Sequence, residues 1–263
     1  MGYKILVTGG AGFIGSNLTE ALLNDDSVEL VRVLDDLSNG YYDNIKEFEG
    51  HPKFEFIKGD ICDFDTCMTA CRGIDKISHQ AALGSVPRSI ENPIRSNEVN
   101  VGGSVNILFA AVKNNVERVV MAFSSSTYGD SKSLPKVEDV IGRPLSPYAV
   151  TKYADELYAD VFSKTYNINY IGLRYFNVFG RKQNPNNPYA AVIPLFSKAY
   201  LEGKSPLING DGKTSRDFTY IENAVHANKR ALFTDNDAAL NQVYNIAFGE
   251  QNTLLDLIRI LKD

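Results

Sequence analysis

The sequence has no uninterrupted apolar run near the roughly 18 residues that a membrane-spanning helix needs, so a transmembrane anchor is not expected. Cysteine is scarce. Cys62, Cys67 and Cys71 are odd in number and lack a C-x-x-C spacing, while the three histidines, His51, His79 and His226, lie far apart. Neither set has the pattern of a metal site, so no metal is expected, and the cysteines read as small buried residues in a reducing compartment. Positive charge is also lacking. The formal net charge is -5 and the sequence pI about 5.3, which gives no global attraction to nucleic acid or anionic lipid. Any phosphate must therefore be held by local groups, and the expected partners are small molecules. The strand-like run "YKILVTG" begins at Tyr3 and leaves no room for a secretory signal, so a cytoplasmic location is expected. There is no internal repeat and no low-complexity tract.

What the chain does contain is 263 residues, 44% of them apolar and 22% charged, enough for one substantial core with a smaller unit leaning on it. Short β-branched runs ("YKILVTG", "VELVRVLDD", "FEFIKGD", "IDKISHQ", "RVVMAFSS", "NINYIGLRYF") alternate with helix-length amphipathic segments. That order predicts an α/β fold: a doubly wound parallel sheet of the Rossmann type. Long helices are expected from about 94 to 114 and 147 to 166. After residue 175 the texture changes. "GRKQNPNNPY" reads as a loop, and shorter helices follow around "VIPLFSKAYLEG", "IENAVHANKRALF" and "TLLDLIRILKD", with a strand at "QVYNIA". The expected division is a dinucleotide-binding domain over 1–175 and a smaller substrate-binding subdomain over 176–263, interleaved with the last Rossmann strand and helix.

In "VTGGAGFIGSNL", Gly9, Gly12 and Gly15 follow the first strand and open a helix. Glycine is needed where the chain turns sharply and lets a pyrophosphate reach backbone N–H groups at a helix N-terminus. Phe13 and Ile14, between the last two glycines, are counted with the cofactor-binding residues. Asp35 lies twenty residues past Gly15 at the end of the second strand, placed to accept the adenosine ribose hydroxyls. No lysine or arginine occurs in "DDLSNG" to welcome a 2'-phosphate, so the expected cofactor is NAD rather than NADP. Asp60 and Ile61 end the next strand, where an adenine edge would sit; an ordinary helix N-cap is the competing role for Asp60.

The segments "TGGAGFIG", "HQAA", "SSSTYGD", "SPYAVTK", "RYFNVFG" and "TSRDF" occur in the order seen in the extended short-chain dehydrogenase/reductases, and the chain resembles in particular the UDP-N-acetylglucosamine 4-epimerases among them. The resemblance covers essentially the whole chain. It implies that Ala81 and Ala82 line the cofactor, that Ser124 is the catalytic serine and that Asn177 touches substrate. Relatives run some tens of residues beyond Asp263, which implies that the substrate-binding part is truncated. The two long helices form a paired-helix surface in relatives, implying a homodimer.

Tyr148 and Lys152 are four residues apart on a predicted helix and so share one face. Tyrosine is a poor base at neutral pH, with an ordinary pKa about 10, but an adjacent ammonium and a positive nicotinamide ring favour a phenolate. The pair, which also counts among the cofactor-binding residues, is expected to take the proton from a sugar hydroxyl, with Ser124 holding that hydroxyl. In related 4,6-dehydratases the triplet at this place is Thr-Asp-Glu, and related UDP-glucuronate decarboxylases carry glutamate at its third position. In this chain it is Ser124, Ser125 and Ser126, and serine does no carboxylate acid/base work.

That favours 4-epimerisation of a UDP-hexose, with N-acetylated sugars expected. UDP-glucose/UDP-galactose, a UDP-uronate, a dehydratase reaction and a non-catalytic NAD-binding fragment stand as alternatives. Gly84 to Ser89 are expected on a loop, with Gly84 and Ser85 receiving the acyl group, Ala191 and Val192 beside nucleotide and sugar, and Asn209 and Arg216 at uridine and diphosphate.

Overall fold

The computed structural model describes residues 2–187, 189–208 and 210–262. Six strands alternate with helices through the first two-thirds of the chain: β1 (Tyr3–Thr8), β2 (Val28–Asp35), β3 (Phe54–Lys58), β4 (Lys76–His79), β5 (Arg118–Ser124) and β6 (Asn169–Tyr175). The short strands β7 (Val178–Phe179), β8 (Ser215–Arg216) and β9 (Thr219–Tyr220) come next, followed by β10 (Gln242–Ile246) and β11 (Asn252–Thr253). β10 returns to the main sheet, whose order is β10-β6-β5-β4-β1-β2-β3 with every neighbouring pair parallel.

Both faces of this sheet are buried, which is why its strands read as nearly continuous apolar runs. Successive residues of β1 point to opposite faces. Leu6 packs with α2 (Phe64–Cys71), α5 (Gly103–Lys113) and α6 (Pro147–Tyr166), whereas Ile5 and Val7 pack with α1 (Phe13–Leu23) and α8 (Ile221–Phe233). The strand order reverses between β1 and β4, and the carboxyl ends of these two strands open the crevice where ligands bind in such sheets. Beyond the sheet lie α7 (Val192–Leu201), α9 (Leu254–Lys262), a parallel β7–β9 pair and an antiparallel β8–β11 pair.

The helix expected over 94–114 is continuous but not uniform. α4 (Pro93–Asn97) passes through one π-helical stretch, Glu98–Gly102, into α5. Within that stretch Asn100 accepts the Leu83 N–H at 2.8 Å and donates to Thr151 Oγ1 at 3.0 Å, tying the loop after β4 to α6. The stretch expected as a loop at 84–89 is partly helical. Ser85 caps α3 (Val86–Glu91) by accepting the Arg88 N–H at 3.2 Å, and Pro87 sits in its first turn. Cys67 and Cys71 are buried on α2, and burial pushes both thiols up to about 12. Such thiols are unreactive at neutral pH.

Candidate active site

Between β1 and α1 the chain makes a turn that only glycine permits. Gly9 has φ +67°, and a Cβ there would lie 2.7 Å from Ala81 backbone atoms; a Cβ on Gly15 would lie 2.1 Å from the Gly9 carbonyl oxygen. Gly12 caps α1 without a side-chain hydrogen bond, and no acidic residue occupies the first turn. The backbone N–H groups there are left for an anion, as a pyrophosphate requires.

Asp35, 7% exposed at the end of β2, accepts the Ala11 N–H through Oδ2 and the Leu37 N–H through Oδ1, both at 2.9 Å. Burial pushes its carboxyl up, against the opposing pull of those two N–H groups. Asp60 is not the cap of α2; Asp63 is, accepting the Asp65 N–H at 3.2 Å. Asp60 instead accepts the Cys62 N–H at 2.9 Å and pairs with Arg95 at 2.9 Å.

The serine triplet follows β5 directly, and α6 carries the tyrosine and lysine. Ser146 caps α6 by accepting the Ala149 N–H at 3.1 Å, Pro147 is its first residue, and the Tyr148 N–H donates to Ser89 Oγ at 3.0 Å. One helix turn then aims Tyr148 and Lys152 at the carboxyl end of the sheet. Lys152 is 4% exposed, and its Nζ donates to the Ala122 carbonyl and the Asp155 carboxylate, each at 3.1 Å. Burial alone depresses its ammonium, but Asp155 and then Tyr148 reverse this and hold it above the usual lysine value.

Two clefts meet here. The first, of about 320 Å³, runs from the glycine turn past Asp35, Asp60 and Ile61 to Ala81, Ala82, Tyr148 and Lys152. Among the described residues Lys152 is its only cationic lining residue, whereas Asp35, Asp36 and Asp60 line its other end. That distribution suits an NAD whose ribose hydroxyls meet Asp35, and is hostile to a 2'-phosphate. The second, of about 1000 Å³, is lined by Gly84, Ser85, the three serines, Asn177 and Arg216. Phe13, Ile14, Gly84, Phe123, Tyr148 and Tyr175 belong to both, so Tyr148 stands in the wall where the two spaces join.

Ser124 Oγ accepts the Ser126 N–H at 3.2 Å, leaving its own hydroxyl hydrogen available to a ligand. Ser126 Oγ, on the lining of the second cleft, is buried and has no partner among the described residues. Asn177, held at φ +32°, donates to the Asp217 carbonyl at 2.9 Å. Arg216 is exposed on β8 and belongs to no ion pair among the described residues.

Ala191 and Val192 do not join this set. Ala191 is the exposed N-cap of α7, Val192 begins that helix, and neither lines either cleft. Asn209 lies outside the described residues.

The sequence reading missed residues whose role depends on distant partners. Tyr175 lines both clefts; its hydroxyl accepts from Asn228 Nδ2 at 2.7 Å and donates to Gln80 Oε1 at 3.3 Å. Its position inside "RYFN" was the one available signal. His79, paired with Thr8 Oγ1 at 2.7 Å and Ser104 Oγ at 3.0 Å, had its place in "HQAA" as its one signal, and Asp155 had only its spacing of three from Lys152. Among the described residues no cluster of His, Cys, Asp and Glu is arranged to hold a metal, and no helix is long and apolar enough to cross a membrane.

Comparison with known proteins matches residues 5–247 to the family described as "NAD dependent epimerase/dehydratase family". A UDP-glucose 4-epimerase of Mycolicibacterium smegmatis is 38% identical over 97% of this chain and 80% of its own length. Among solved structures, a UDP-N-acetylglucosamine 4-epimerase from Methanobrevibacter ruminantium in complex with UDP-N-acetylmuramic acid superposes with a TM-score of 0.92 at 40% identity, covering 98% of this chain and 81% of the other. A Thermotoga maritima UDP-glucose 4-epimerase with UDP-glucose gives 0.91 at 33% identity, covering 98% and 81%.

Proposed function

From the premise that this chain belongs to the NAD dependent epimerase/dehydratase family, we propose that it inverts C4 of a UDP-hexose, interconverting UDP-N-acetylglucosamine and UDP-N-acetylgalactosamine. The observation that carries this reading is the position of Tyr148 in the wall shared by the two clefts, beside three serines. NAD held against the glycine turn, Asp35, Ala81 and Lys152 supplies the chemistry of accepting and returning the C4 hydride. Tyr148 takes the proton of the 4-hydroxyl as that hydride leaves, and gives it back to the opposite alkoxide after the 4-keto sugar has turned over. Ser124 Oγ–H holds the same oxygen, and the Lys152 ammonium keeps a positive charge beside the phenolate.

Elimination of water needs a carboxylic acid at the second and third positions of the triplet. Ser125 and Ser126 supply none, and the carboxylates lining the sugar cleft are Asp217 and Glu250. Asp217 is already committed to the N–H groups of Phe248 and Gly249, at 2.9 and 2.8 Å. Epimerisation is therefore favoured over dehydration. One feature supports an N-acetylated sugar: the likeness to a UDP-N-acetylglucosamine 4-epimerase that holds UDP-N-acetylmuramic acid. Arg216, with no ion-pair partner among the described residues, is assigned to the diphosphate. The apolar outer face of α6 is assigned to a second copy of the chain, giving a homodimer.

The test is anion-exchange analysis of wild-type protein and Tyr148→Phe incubated separately with UDP-N-acetylglucosamine and UDP-glucose. We expect the 4-epimer of the acetamido sugar from the wild type, and a kcat lower by a factor of about 10² to 10⁴ in the variant. Equal turnover by the variant removes Tyr148 from the chemistry, and much faster turnover of UDP-glucose removes the acetamido assignment.

A further inference from the structure

A buried carboxylate lies directly against the lysine that Tyr148 depends on. Asp155 is 1% exposed, its Oδ2 accepts from Lys152 Nζ at 3.1 Å, and its Oδ1 has no hydrogen-bond partner among the described residues. Lys152 has one other acceptor, the Ala122 carbonyl of β5. A lysine ammonium buried against a neutral carbonyl alone loses its proton readily, because desolvation penalises the charged form.

We propose that Asp155 is the positioning residue for Lys152: its carboxylate fixes the ammonium against β5 and keeps it protonated, so that a positive charge stands beside Tyr148 at neutral and alkaline pH. This assignment rests on the reading of Tyr148 and Lys152 given above.

The other groups facing this pair do not substitute for it. Ser104 approaches Asp155 from α5, but its hydroxyl is shared with His79 Nε2. His79, on β4, is held neutral, pushed down to about 3 by burial and then by the Lys152 charge. Glu156, on α6, is committed to Arg174 of β6 by two bonds at 2.9 and 2.8 Å. Tyr148 is the acid/base group itself. Asp155 is thus the one carboxylate in contact with Lys152 among the described residues. Burial pushes Asp155 up to about 6 while Lys152 pulls it down, so the charged pair persists above about pH 6 and loses its negative member below it.

The test combines isotope-edited NMR of lysine side chains, assigned with Lys152→Met, and a pH series of kcat for wild type and Asp155→Asn. In the wild type the Lys152 side-chain resonance stays that of an ammonium up to at least about pH 9 and inflects on the acid side where Asp155 gains its proton; a lysine that is already neutral at about pH 7 overturns the proposal without any variant or activity measurement. In Asp155→Asn the lysine deprotonates at lower pH than in the wild type, and the variant-to-wild-type ratio of kcat falls at least about tenfold between roughly pH 6 and pH 9. KM stays within a few-fold. A ratio that is low but independent of pH means that Asp155 is merely structural and also overturns the proposal. An inactive wild type whose Lys152 still shows the inflection locates the failure in the proposed reaction instead.

Discussion

Asp35 Oδ2 accepts the backbone N–H of Ala11 at 2.9 Å, joining the end of β2 to the glycine turn 24 residues earlier. The same carboxylate therefore shapes the pyrophosphate turn and faces the cleft where the adenosine ribose is expected. Replacing it removes the acceptor for two backbone N–H groups together with the ribose contact. Asp35→Ala is expected to weaken NAD binding at least about tenfold, roughly 1.4 kcal/mol, as measured by calorimetric titration of protein stripped of cofactor. NADP gains nothing in this variant, because the remaining carboxylates at that end, Asp36 and Asp60, still repel a 2'-phosphate. Unchanged NAD affinity would remove Asp35 from the site.

How much of this was legible in the sequence depends on the range of the interactions involved. Gly9, Gly12 and Gly15 could be read because their backbone geometry is dictated locally. Tyr148 and Lys152 could be read because helix periodicity alone puts them on one face. Ala191 and Val192 were assigned by resemblance and not by any local constraint; in the structure they open α7 and line neither cleft. His79, Asp155 and Tyr175 gave no adequate signal because each acquires its role from partners 25 or more residues away, or from burial that no short window contains. The π-helical stretch at Glu98–Gly102 was invisible for the same reason, since Asn100 bonds to Leu83 and Thr151.

His79 makes stability depend on pH in a definite sense. Burial depresses its folded-state pKa to about 3, whereas an unfolded histidine titrates at about 6.5. Below that value the unfolded chain binds a proton that the folded protein refuses. The contribution of His79 is complete above about pH 6.5 and is lost on descent toward pH 3, at up to about 1.4 kcal/mol per pH unit. Asp155 acts oppositely. Its folded carboxyl is raised to about 6 from 3.8, so the folded state gains stability as pH falls between those values. The informative quantity is the difference in unfolding free energy between wild type and His79→Gln, from urea titrations. It should shrink by about 1 kcal/mol from pH 6.5 to pH 5.5; parallel curves would show that His79 is not held neutral.

Arg174 and Glu156 fix the wall of the sugar cleft. Glu156 accepts two hydrogen bonds from the Arg174 guanidinium, which also donates to the Tyr128 hydroxyl at 3.1 Å and the Glu138 carbonyl at 2.7 Å. Both side chains of the pair are less than 8% exposed. Removing one partner strands a buried charge, so Glu156→Ala should cost about 3–5 kcal/mol in chemical unfolding. Glu156→Leu combined with Arg174→Met should recover most of that loss, because the cost lies in the unpaired ion and not in the missing attraction. A single-variant loss below about 1 kcal/mol would mean that water reaches the guanidinium.

The outer face of α6 carries Val150, Leu157 and Val161, each more than half exposed, spaced by seven and four residues and therefore on one stripe. Ile90 of α3 and Ile94 of α4, exposed by 64% and 82%, lie on helices that pack against α6. Large aliphatic side chains contribute about 1.5–3 kcal/mol each when removed from water, and five of them exposed on α6 and the helices packed against it suit a two-fold, self-complementary interface. A homodimer is expected by sedimentation at micromolar concentration. Leu157→Lys with Val161→Lys should give a monomer, because each pair of lysines would face its own copy across the axis. Both positions point away from Lys152 and Asp155, which are buried on the opposite side of the helix, so the monomer should retain NAD. A monomeric wild type would leave this stripe without a role in self-association.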